Sequence, residues 1–205
     1  AAKELGNMGY REVNLNLGCP SGTVVAKGKG AGMLADPSAL DEFLETIFSA
    51  DLGGVAISVK TRLGLESPEE FPALAEVFAR YPISLLILHP RVREDYYKVA
   101  VRKEEFEKAL PQIHCPLCYN GALVNAEDCA RTAEAFPMLK GLMMGQGLIA
   151  DPALARKVRG GQAAGREELR AFHDELYQGY LRDFSSEKNT VFHMKELWSY
   201  FFRLF

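Results

Sequence analysis

The chain has 205 residues, 48% of them hydrophobic and 25% charged, with a formal net charge of -3. This composition supports a buried core in one domain with an appendage. It excludes a disordered tail, a collagen-like repeat and a disulfide-stapled miniprotein. The slight acidity argues against a surface that grips nucleic acid everywhere, while leaving room for a local basic patch. No apolar run approaches the ~18 residues of a membrane-spanning helix, and no basic-then-apolar leader opens the chain. Four unevenly spaced cysteines do not form a disulfide framework, so a cytoplasmic setting is expected.

Ala1 to Met8 reads as a short helix. Five apolar runs then recur, at residues 13–17, 55–60, 83–89, 115–120 and 141–145. Each reads as a strand buried on both faces. Helical spacing separates them. Residues 37–49 open on Asp36-Pro37-Ser38, a cap with proline in the first turn. Residues 68–80 open on Ser67-Pro68-Glu69-Glu70 and carry Phe71, Leu74, Ala75 and Phe78 on one side. Residues 103–110, 126–136 and 152–159 follow the same pattern. Alternating strand and helix predicts an α/β protein with a parallel sheet. Residues 160–166 form a small flexible break. Beyond it, 167–183 and 190–205 show helical period only, the last with a wide apolar face. The predicted boundary therefore divides a domain at 1–164 from an all-helical domain at 165–205.

Polar residues and glycines gather where the strands end: Asn16-Leu17-Gly18-Cys19-Pro20, Lys60-Thr61-Arg62, His89-Pro90-Arg91, Asn120-Gly121 and Gly145-Gln146-Gly147. In a parallel α/β barrel the site lies at the C-terminal ends of the strands. The glycines of the last two loops suit close backbone approach to a phosphate, although each is also an ordinary turn signal. Lys60 ends an apolar strand, where its charge needs an acceptor or a path to solvent. A free thiol, with a pKa near ~8.5, is mostly protonated at neutral pH, so a cysteine at position 19 could donate a proton as well as act as a nucleophile. Cys115-Pro116-Leu117-Cys118 has redox or zinc spacing but stands alone inside an apolar strand, so packing is the better reading and no metal site is expected. The segment 90–103 carries Arg91, Arg93, Lys98, Arg102 and Lys103 around Tyr96 and Tyr97, with Lys27 and Lys29 in another loop. Cations with aromatics suit RNA, and a solvated loop is the alternative.

These motifs together resemble the tRNA-dihydrouridine synthases. Val13 to Pro20, followed by Lys27-Gly28 and Gly32-Met33-Leu34, resembles the segment that holds their active-site cysteine. Val59-Lys60-Thr61-Arg62 is similar to their Val-Lys-x-Arg strand. Leu88-His89-Pro90-Arg91, Tyr119-Asn120-Gly121-Ala122 and Met143-Met144-Gly145-Gln146-Gly147 resemble their His-Gly-Arg, Asn-Gly-Asp and Met-Ile-Gly-Arg-Gly segments, and His193-Met194-Lys195 falls in their helical domain. The resemblance implies a (β/α)8 TIM barrel, here partial with strands four to eight, followed by a helical tRNA-binding domain.

It also implies a flavoprotein oxidoreductase that binds FMN, uses NADPH as reductant and turns uridine in tRNA into dihydrouridine. By the same resemblance Cys19 is the proton donor. Asn16, Arg62 and Arg91 would contact substrate, while Lys60, His89, Asn120, Gly121, Gly145 and Gln146 would bind the flavin. Pro90, Gln146, Ala122 and Asn14 depart from the family pattern. A barrel missing three strands is expected to be a fragment of a longer protein, monomeric when full length and not bound to a membrane. The alternatives are an FMN-dependent dehydrogenase of a small pyrimidine, of the dihydroorotate type, and a non-catalytic RNA-binding remnant.

Overall fold

A computed structural model of the chain describes residues 1–204. Helix α1 (Ala2–Asn7) leads into strand β1 (Glu12–Asn16), the one-turn helix α2 (Gly22–Val25), a 3-10 segment at Gly30–Ala35 and helix α3 (Pro37–Phe48). Strand β2 (Ala56–Gly64), helix α4 (Phe71–Phe78), strand β3 (Leu86–Val92), helix α5 (Lys103–Ala109) and strand β4 (Leu117–Tyr119) follow. Then come helix α6 (Ala126–Ala135), strand β5 (Gly141–Leu142) and helices α7 (Gln146–Ala150), α8 (Leu154–Val158), α9 (Arg166–Phe184) and α10 (Glu187–Phe201). No helix among the described residues is long and apolar enough to cross a membrane.

The strands form one sheet in the order β1-β2-β3-β4-β5, every pair parallel. The register sets Asn16 opposite Lys60, Arg62 opposite His89 and Leu88 opposite Tyr119. The C-terminal ends therefore line up, as expected for a barrel sheet.

All five strands are shifted or trimmed against the apolar runs that locate them, and at two the cause is plain. β2 extends to Gly64, because Thr61, Arg62 and Leu63 are buried and the ladder continues through them. β3 starts at Leu86, not at Ile83, because the Ile83 amide folds back onto the Tyr81 carbonyl and only the Ser84 amide joins the Ile57 carbonyl. Pro90 lies within β3, where its missing N–H could break a ladder. The register slips there: Arg62↔His89 is followed by Gly64↔Val92, one extra residue on β3. A bulge is where a sheet tolerates proline.

The chain forms two compact units. The first comprises residues 1–121 and 138–143, with the sheet and α1–α5. Its core gathers Leu40 and Leu44 of α3, Ile57 and Val59 of β2, Leu74 and Phe78 of α4 and Leu88 of β3, all buried. Two caps start its helices. The Asp36 carboxylate accepts from Ser38 N at 2.9 Å and Ala39 N at 3.3 Å. Glu70 accepts from the amides of Leu65, Glu66 and Ser67 at 2.7, 2.9 and 2.7 Å. These amides would otherwise point unpaired into the turn.

The second unit comprises residues 122–137 and 144 onward, with α6–α10. Its division from the first differs from the expected boundary at 164/165, because α6 packs on α8, and α10 packs on α7 and α9. Ser185 takes a left-handed conformation, φ 47°, and turns the chain from α9 into α10. His193 stacks on Phe184 at 4.6 Å and on Tyr180 at 5.7 Å.

Candidate active site

β1 ends by bending its own loop into shape. The Asn16 side-chain carbonyl accepts from Gly18 N and Cys19 N, each at 3.1 Å. Asparagine suits this position because its short amide mimics a turn of backbone. Cys19, half-buried, follows at once. Its carbonyl accepts from Ala31 N at 3.0 Å. Gly30 presses on it from behind with φ +57°, and a Cβ there would stand 2.8 Å from the Cys19 carbonyl oxygen. Glycine alone meets both the angle and the approach. The Asn16 amide nitrogen keeps its donors unpaired among the described residues.

β2 contributes two cations with different fates. Lys60 is half-buried, and its ammonium has no hydrogen bond or ion pair among the described residues. Burial pushes its pKa down to about 8, and the Arg62 guanidinium adds to the fall, while Cys19 and Cys118 oppose it. Arg62 is 1% exposed. Its Nε donates to the Gly18 carbonyl at 2.8 Å, and Nη1 donates to the carbonyls of Val92 at 3.0 Å and Tyr96 at 3.3 Å. The guanidinium also lies 5.5 Å from the Tyr97 ring centre. The expected substrate contact of Arg62 would fall to Nη2, since Nε and Nη1 are taken by backbone carbonyls. Buried and committed to backbone carbonyls, Arg62 knots the Cys19 loop to the segment after β3.

β3 carries His89, 4% exposed, and Arg91, 9% exposed. Arg91 Nη1 lies 3.0 Å from His89 Nε2, and Arg91 Nε donates to the Val99 carbonyl at 2.7 Å. Burial first, then Arg62, Lys60 and Arg91, push the His89 pKa down to about 3. The ring is neutral at working pH. Tyr97 lies against this group, its ring 6.0 Å from His89 and 5.9 Å from the Arg91 guanidinium. The loop is stapled by Asp95, which accepts from Val92 N at 3.0 Å and from Arg102 Nε and Nη2 at 3.0 and 2.8 Å. Arg93 stacks over Tyr96 at 5.2 Å. Much of the basic strip is thus internal: Arg91, Arg93 and Arg102 organise the loop, while Lys98 and Lys103 stay exposed.

Asn120, at the end of β4, donates from Nδ2 to the Met143 carbonyl at 2.9 Å. It ties the ends of β4 and β5 together. Gly121 is required by packing, since a Cβ there would meet Val101 at 2.8 Å. These contacts fix both residues at the end of β4. Gly145 and Gln146 belong to the second unit. Gly145 caps α7, with open space where its Cβ would be. Cys118 is buried on β4 and Cys115 half-buried before it, both free thiols, and burial pushes Cys118 up to about 11.

The first unit thus brings Asn16, Cys19, Lys60, Arg62, His89, Arg91 and Asn120 to the C-terminal ends of adjacent parallel strands. Two residues that sequence reading left in the background, Tyr97 and Asp95, shape the same rim. Tyr97 had a signal, an aromatic amid cations. Asp95 had none, since a single acid in a basic segment forms no motif.

Aligned parallel strands with functional side chains at one end define an α/β barrel-type site. The chain belongs to the dihydrouridine synthase family, whose family model matches residues 1–199, and its parallel sheet with flanking helices is part of that family's TIM barrel. It is 30% identical over 151 residues to the tRNA-dihydrouridine(16) synthase of Ralstonia nicotianae, covering 74% of this chain and 46% of that protein. A probable tRNA-dihydrouridine synthase of Staphylococcus aureus is 31% identical over 186 residues, covering 88% of this chain and 56% of its own length. Its counterpart in Staphylococcus epidermidis is 29% identical over 203 residues, covering 96% and 59%. The chain spans about half the length of these curated relatives.

Proposed function

We propose that the protein is a flavin- and NADPH-dependent oxidoreductase that reduces uridine to 5,6-dihydrouridine in tRNA. The observation that carries this reading is the grouping of the Cys19 thiol, the unpartnered Lys60 ammonium and the neutral His89 ring at adjoining strand ends.

The donors fit an electron-rich flavin ring. Lys60 offers a positive charge that nothing else in the described chain neutralises. His89 offers one N–H. FMN, when bound, supplies the hydride for C6 of the uracil, with NADPH as its reductant. The Cys19 thiol gives its proton to C5, leaving a thiolate that regains a proton from water, so one hydride and one proton saturate the ring. The unpaired Nδ2 of Asn16 orients the base from the wall of the same loop. Arg62 holds that loop in place from below. The uracil leaves its stack to enter, as enzymes acting on bases require.

The test is dihydrouridine formation in unmodified tRNA by the intact enzyme, compared with Cys19→Ala. Full activity in the variant would overturn the proton-donor role. No product from the wild type with FMN and NADPH would overturn the whole reading.

A further inference from the structure

We propose that Arg91 is a positioning residue that fixes the tautomer of His89, keeping Nε2 bare and the ring proton on Nδ1. A guanidinium has five donors and no acceptor. At 3.0 Å from Arg91 Nη1, His89 Nε2 can therefore only accept. The neutral ring then carries its hydrogen on Nδ1.

Arg91 is itself held. Its Nε donates to the Val99 carbonyl at 2.7 Å, and its guanidinium rests 5.9 Å from the Tyr97 ring centre. Both partners are almost out of solvent, so water does not compete for Nε2. The charged groups acting on the ring are Arg62, Lys60 and Arg91, with Asp95 the opposing charge. Three cations against one carboxylate, together with burial, keep the imidazole uncharged. His89 Nδ1 has no partner among the described residues. It is a neutral, single donor left for an acceptor from outside the chain.

The identity of that acceptor, a flavin ring, rests on the function proposed above. The tautomer rests on the chain alone. A bound flavin ring would thus meet two unlike donors: a cation whose charge fades near pH 8 at Lys60, and a hydrogen at His89 that persists unchanged well above about pH 3.

Long-range 1H–15N correlation NMR on the FMN-loaded protein tests this, with His89 assigned by a His89→Gln variant. The wild type is expected to show a bare Nε2 and a protonated Nδ1 from about pH 5 to about pH 8. Arg91→Met is expected to release the ring into a mixture of tautomers and to weaken FMN binding about 10-fold, the scale for losing the hydrogen bond that orients a ligating ring. Arg91→Lys, which keeps a donor, is expected to restore part of both. A protonated Nε2 in the wild type, a charged ring near about pH 6, or an unchanged tautomer in Arg91→Met would each overturn the proposal. If Arg91→Met does not fold, the wild-type spectrum decides alone. If the tautomer is as stated but no dihydrouridine forms, the functional reading fails and this one stands.

Discussion

At the scale of single residues, Cys19 and Lys60 give the sharpest expectations. Cys19→Ala is expected to slow product formation by about 10²–10⁴-fold, the range for a positioned proton donor, with FMN binding retained; tRNA assays and flavin fluorescence read the two effects. Lys60 has a native pKa of about 8, below the ordinary 10.5. The folded state therefore disfavours the proton. Its burial destabilises the fold below about pH 8, and that effect fades as pH rises toward 10.5. Lys60→Met is accordingly expected to raise the Tm of the flavin-free protein by about 2 °C or more while weakening FMN binding. In the wild type, FMN affinity is expected to fall as pH rises through about 8, which a fluorescence titration at several pH values measures. A flat profile would remove Lys60 from the ring contact.

At the scale of elements, the loop between β3 and α5 depends on Asp95. The hydrogen bonds from Arg102 hold its pKa below the usual carboxylate range. The stability it contributes is therefore present above the unfolded pKa and is lost as pH falls through the lower native value. Asp95→Asn is expected to cost about 1–3 kcal/mol and to speed proteolytic cutting within residues 93–102, read by limited digestion and mass spectrometry. The sequence showed where this loop lies but not how it is built. Apolar runs located all five strands, because strands buried on both faces read as continuous hydrophobic stretches. They placed the start of β3 at Ile83, whose amide instead folds back onto the Tyr81 carbonyl. They also carry no sign of how Arg62 is held. Its partners are carbonyls 30 or more residues away at Gly18, Val92 and Tyr96, and periodicity carries no record of such contacts. His89 and Cys19 were legible because barrel topology fixes which strand ends meet. The committed amide of Asn120 was not, for the same reason as Arg62.

At the scale of the whole chain, the sheet order leaves β1 and β5 each with one neighbour among the described residues. An edge strand presents unpaired N–H and C=O groups to any chain that approaches. A polypeptide of these 205 residues is expected to associate increasingly with concentration, as light scattering would show; a strictly monomeric species at every concentration would argue that β1 is shielded. The helical end was read correctly as helix from its period. The grouping of α6–α8 with it was not, because compactness is decided by packing between segments and not by composition.

The Arg62 knot has one more consequence. A single guanidinium tethers the thiol-bearing turn and the tyrosine-bearing loop, so slackening either changes how the sulfhydryl hydrogen is aimed. Substitutions as remote as Asp95 should then register as a larger solvent deuterium isotope effect on turnover, making heavy water a gauge of how taut that tether is.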